Sequence, residues 1–116
     1  MNAFEEIAYA DGDTPLTGLA LHPQGDARAA VAIFPTFMNS TPAVEAKARS
    51  LAEQGYAVLI GAFYGPDAPA DMQQAFAAMT RLRADPVAAR QRLRATIRLL
   101  RERHPDLPQL AIGFCL

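Results

Sequence analysis

Apolar and polar positions interleave at the start of the chain, where Phe4-Glu5-Glu6-Ile7-Ala8-Tyr9 sets aromatic and branched residues around an acidic pair. Asp11-Gly12-Asp13 supplies turn chemistry and a second extended stretch runs from Leu16 to His22, so this opening predicts a β-hairpin. Pro23-Gln24-Gly25-Asp26 turns the chain into Ala29-Ala30-Val31-Ala32-Ile33-Phe34. That unbroken apolar run is the pattern of a strand buried on both faces of a parallel sheet, and Pro35 ends it.

Thr41-Pro42 predicts a helix start, since the hydroxyl can cap free amides and proline at the first helical position loses no hydrogen bond. Val44, Ala48, Leu51 and Ala52 share one face of that helix, Glu45 and Arg49 are placed to pair outside it, and Gly55 stops it. Tyr56 to Ile60 is a second buried-strand pattern. Gly65-Pro66-Asp67 opens a loop, and Met72, Phe76 and Met79 mark a helix reaching about Arg83. Asp85-Pro86 is again cap and first helical residue, with Ala89, Leu93, Ile97 and Leu100 as the expected buried stripe of a longer helix ending near His104-Pro105. Gln109 to Phe114 completes the pattern as a third buried strand. The alternation predicts an α/β fold: a mostly parallel sheet with an antiparallel amino-terminal hairpin and flanking helices.

With 116 residues, 51% of them apolar, the chain can bury the core of a single domain. A formal charge of -1 offers no field to gather nucleic acid or an anionic membrane surface, so neither partner is expected. Arg90, Arg94, Arg98 and Arg101 line one side of the last helix, but without interleaved aromatics they read as a solvated face. The start carries no basic-apolar leader and no apolar run approaches the roughly 18 residues of a membrane span, which makes the cytoplasm the expected compartment. No glycine-rich phosphate loop or metal-ligand cluster appears, so neither a cofactor nor a metal is expected. His22 reads as part of a strand-end turn and His104 as a cation at the carboxyl end of a helix.

The single cysteine cannot form an internal disulfide, which leaves packing or reactivity as its use. Gly113-Phe114-Cys115-Leu116 supplies the first four positions of a Gly-x-[Ser/Cys]-x-Gly nucleophile elbow, at the end of a buried strand. A following helix would aim its amino-terminal amides at the sulfur and favour thiolate against an unperturbed pKa of about 8.5. Two other readings stand beside a nucleophile: a flavodoxin-like binding or thiol-sensing module, and a pseudoenzyme or assembly partner.

The chain resembles the dienelactone hydrolase family over nearly its whole length, through Ala29 to Phe34, Ala52-Glu53-Gln54-Gly55-Tyr56-Ala57, Phe63-Tyr64-Gly65 and the elbow. The resemblance implies a partial α/β-hydrolase fold in which residues 1–116 are the amino-terminal portion of one incomplete domain. It implies hydrolysis of a small ester or lactone through an acyl-enzyme on Cys115, with the Leu116 and Phe37 amides as oxyanion hole and Thr36 and Tyr64 as substrate-pocket candidates. In the family the triad acid and histidine follow the nucleophile, so His22 and His104 are not expected to serve as its base. Thr36, or alternatively Phe34, stands where dienelactone hydrolases carry a glutamate, and Gly61-Ala62-Phe63-Tyr64 where they carry Pro-Asp-Leu-Tyr, which argues against dienelactone itself as the substrate.

Overall fold

The computed structural model describes residues 3–36, 38–65 and 69–114. Along the chain these form β1 (Glu5–Asp11), β2 (Thr14–Leu21), β3 (Ala29–Phe34), α1 (Pro42–Glu53), β4 (Tyr56–Ile60), α2 (Met72–Arg83), α3 (Pro86–Arg103) and β5 (Gln109–Gly113). One five-stranded sheet has the order β1-β2-β4-β3-β5. β1 and β2 form the expected hairpin, with Asp11 opposite Thr14 and Gly12 at φ 56° in the turn between them. β2 lies antiparallel to β4, while β3 runs parallel to both β4 and β5. The carboxyl ends of β3, β4 and β5 therefore open on one edge of the molecule, where a doubly wound sheet places its ligands.

The helix starts follow the capping chemistry. The Thr41 hydroxyl accepts from the Val44 amide, Asp71 from Gln74 and Asp85 from Ala88, and prolines occupy the first turns of α1 and α3. Gly55, at φ 97°, supplies the left-handed residue just beyond α1.

Alternation along β3 divides the core. Val31 and Ile33 join Val58 and Ile60 against Val44 and Ala48 of α1, whereas Ala30 and Ala32 join Leu59 against Leu100 of α3. Alanines on the α3 side let that helix approach closely, and a Cβ on Gly61 would lie 2.7 Å from the Thr96 hydroxyl. The result is a sheet covered by α1 on one face and α3 on the other.

Three expectations are corrected in detail, and the facing of α2, which the sequence left open, is set. Arg49 does not pair with Glu45; its guanidinium lies 4.6 Å from the centre of the Phe4 ring, an attraction to the π-face that also covers apolar surface. On α2, Met79 is buried with Ala75 and Ala78, but Met72 and Phe76 are 58% and 60% exposed because the side facing the protein is the alanine side. On α3 the buried stripe is Ala95, Thr96 and Leu100, with Leu93 and Ile97 only half-buried. Finally, β5 is a sheet edge rather than the expected buried strand: among the described residues it pairs with β3 alone, and Leu110 is 49% exposed.

Candidate active site

At the carboxyl edge of the sheet, the Phe114 amide donates to the Phe34 carbonyl at 2.9 Å, carrying the β3–β5 pairing one residue past Gly113. The nucleophile candidate Cys115 and the oxyanion-hole candidates Leu116 and Phe37 lie outside the described residues. Two chain segments that flank them are described: the end of β5, immediately before Cys115, and the loop after β3, on either side of Phe37. A Cβ added at Gly113 would meet nothing within 4 Å among the described residues, so the smallness of this elbow glycine is not demanded by the described neighbours.

Beyond the buried Pro35, the post-β3 loop folds into a tight turn. The Thr36 hydroxyl accepts from the Met38 amide and donates to the Asn39 carbonyl, both at 3.2 Å, while the Asn39 amide donates to the Thr36 carbonyl at 2.9 Å. Thr36, named as a pocket candidate, thus spends its hydroxyl holding the loop that carries Phe37. Asn39 closes the turn at φ 62°, a left-handed conformation that asparagine tolerates better than most residues. Its side-chain carbonyl accepts from the Phe63 amide at 2.9 Å, joining the loop after β3 to the loop after β4.

The post-β4 loop is held from the other side as well. Strand alternation turns Ile7, Tyr9 and Asp11 of β1 toward α3. Tyr9 and Asp11 are separated by about 7 Å along a strand, and Arg92 and Thr96 by about 6 Å along a helix, so the two pairs can meet at once. They do: the Tyr9 and Thr96 hydroxyls are 2.8 Å apart, and Arg92 Nε donates to Asp11 at 3.0 Å. The same Tyr9 oxygen accepts from the Ala62 amide at 3.0 Å, leaving its own hydrogen for Thr96. Arg92 also donates to the Phe63 carbonyl. Both members of the Arg92–Asp11 pair are largely withdrawn from water, with side chains 15% and 16% exposed.

Tyr64, the other pocket candidate, follows this clamped segment and lines a cleft of about 260 Å³ with Phe63, Arg81, Leu82 and Asp85. Its hydroxyl is buried without a hydrogen-bond partner among the described residues. Burial raises the phenol pKa above its ordinary 10.0, against a smaller opposing pull from Arg81.

His22 and His104 are far from this edge. Their rings stack at 5.9 Å where β2 ends and α3 runs out, at the amino-terminal end of the parallel strands. His22 Nδ1 contacts the Pro23 carbonyl at 2.9 Å, as a turn residue would. Arg90, Arg94, Arg98 and Arg101 are exposed on α3. Among the described residues no cluster of three or more His, Cys, Asp or Glu could hold a metal ion, and no helix is long and apolar enough to cross a membrane.

The Asn39, Tyr9, Thr96 and Arg92 contacts were not visible as site features in the sequence. Period-two spacing of Tyr9 and Asp11 was the available signal, because it puts two polar groups on the inner face of a strand.

Residues 16–116 match the Dienelactone hydrolase family. None of the curated proteins matches the chain. Among solved structures, a dienelactone hydrolase-like promiscuous phosphotriesterase from metagenomic libraries aligns at TM-score 0.85 and 24% identity, over 97% of this chain and 49% of its own. A protein designated m3DLH aligns at TM-score 0.83 and 32% identity over the same shares. A dienelactone hydrolase from Anabaena variabilis aligns at TM-score 0.72 and 18% identity, over 96% of this chain and 51% of its own. The chain thus spans about half the length of these structures, and its sheet and helices are those of a partial α/β-hydrolase fold.

Proposed function

This chain belongs to the dienelactone hydrolase family, and from that premise we propose that it is the amino-terminal portion of a hydrolase domain that cleaves small carboxylic esters or lactones with Cys115 as nucleophile. The observation that carries the reading is the pairing of Phe114 with Phe34, which brings the strand leading to Cys115 beside the loop containing Phe37. A nucleophile and an oxyanion donor need that adjacency, since the attacked carbonyl must touch both.

In the proposed reaction the Cys115 thiolate attacks the carbonyl carbon, and the carbonyl π electrons move onto oxygen. The Leu116 and Phe37 amides would donate to that oxyanion, each worth about 3 kcal/mol of transition-state stabilisation. Collapse breaks the carbon–oxygen bond, the leaving alcohol takes a proton, and a thioester remains on Cys115. Water then adds to the thioester and releases the acid and the thiol. The acid–base residues that serve these steps come from outside the described residues, because His22 and His104 lie at the opposite edge of the sheet. Thr36 stabilises the oxyanion loop, and Tyr64 forms part of the pocket wall in this proposal.

The test is turnover of a panel of activated aryl esters and lactones by the protein carrying the whole domain, with and without Cys115→Ala. Loss of a catalytic nucleophile should lower kcat by about 10⁴-fold or more. Turnover that survives Cys115→Ala unchanged removes the cysteine from the mechanism. Alanine is chosen because serine at the same position could itself attack.

A further inference from the structure

Resting on that reading, we infer that Asn39 is a positioning residue, the strut that fixes the oxyanion loop after β3 against the rigid loop after β4. The two loops differ in how they are held. The post-β4 loop is anchored to distant elements: Ala62 to Tyr9 on β1, and the Phe63 carbonyl to Arg92 on α3, itself paired with Asp11. Phe63 is 5% exposed, so this segment is packed as well as bonded. Among the described residues, the polar contacts of the post-β3 turn, by contrast, are within the turn, Thr36 with Met38 and Asn39, with one exception. That exception is the Asn39 side-chain carbonyl, which accepts the Phe63 amide.

The contact transmits the fixed position of one loop to the other. Asn39 is joined to Thr36 by one backbone hydrogen bond and by the Thr36 hydroxyl, so displacement of Asn39 is expected to displace the segment between them, which includes Phe37. Misplacing a catalytic group by about 1 Å can cost about 10²-fold in rate. The choice of asparagine combines a left-handed backbone at φ 62° with a side-chain acceptor of the right length.

Asn39→Gly separates these two uses, since glycine keeps the backbone conformation and removes the acceptor. In the protein carrying the whole domain, the variant is expected to lose about 10- to 100-fold in kcat for aryl esters, with KM changed less than about threefold. Alkylation of Cys115 by iodoacetamide should proceed within about twofold of the wild-type rate, because displacement of iodide develops no oxyanion and needs only thiolate. A kcat within about twofold of wild type overturns the strut. A parallel fall in kcat and alkylation, with a lowered melting temperature, also overturns it, since the residue then serves the stability of the site as a whole. If Cys115→Ala leaves esterase turnover intact, the nucleophile assignment fails first and the strut falls with it.

Discussion

At the scale of single residues, the tyrosine at position 9 does more than its place on a half-exposed edge strand suggests. Its hydroxyl accepts the Ala62 amide and meets Thr96, which is 1% exposed and whose hydroxyl has no other side-chain partner among the described residues. Tyr9→Phe leaves a buried amide and a buried hydroxyl unpaired, so it should cost about 1–3 kcal/mol by denaturant unfolding. A cost below about 0.5 kcal/mol would show that water replaces the phenol. The same pair explains why the buried side of α3 departs from the apolar stripe. Apolar periodicity predicts Ala89, Leu93, Ile97 and Leu100, of which Leu100 is buried, whereas the helix turns Thr96 inward because β1 offers it a hydroxyl. Polarity counted against burial when its partner was 87 residues away. His104 gives a pH prediction at this scale. Burial first, then Arg103 and His22, push its pKa below 6.5, so the unfolded chain binds that proton more readily than the folded one. Stability should be full above about pH 6.5 and fall as pH drops through the folded value. His104→Asn should flatten the fall of melting temperature as pH drops below about 6.5, and an unchanged slope would locate the titration elsewhere.

At the scale of elements, the contact between β1 and α3 depends on a shielded ion pair. Arg92→Met would leave Asp11 partly buried without its counter-ion and the Phe63 carbonyl without its donor, and breaking such a pair costs about 3–5 kcal/mol when buried. The pair retains some solvent contact, which places the expected loss toward the lower end. Asp11→Leu combined with Arg92→Met should recover part of it, because the stranded charge is gone. A double variant as unstable as the single one would mean that the Phe63 carbonyl, rather than Asp11, sets the cost. Helix and strand positions were legible from caps and runs: Thr41-Pro42, Asp85-Pro86 and the apolar stretches at residues 29–34 and 56–60 all lie where they were expected. Those signals are local, and local chemistry suffices to start and stop an element. The partnership of Asn39 with Phe63 joins residues 24 apart across two loops, and no periodicity announces it.

At the scale of the whole molecule, the sheet order β1-β2-β4-β3-β5 sets β5 at an edge with Leu110 half-exposed. Leu110→Lys should therefore change the stability of these 116 residues by no more than about 0.5 kcal/mol. In a protein carrying the whole proposed domain, further strands would cover β5, and burying the lysine there should cost several times more. Equal effects in both settings would contradict the proposal that the chain forms the amino-terminal portion of a larger domain. The family was legible because the elbow, the Gln54-Gly55-Tyr56-Ala57 stretch and the strand pattern are contiguous features. The loop clamp was hidden because it is assembled from β1, α3 and two loops.

The proposed function stands on covalent chemistry at Cys115. Mixing the whole-domain protein with a slowly deacylating aryl ester, quenching in acid and measuring peptide masses tests it most directly. A mass gain equal to the acyl group is expected on the peptide containing Cys115, absent in Cys115→Ala. Acyl label on another residue, or ester turnover with no label at Cys115 under conditions where the acyl-enzyme accumulates, would contradict it.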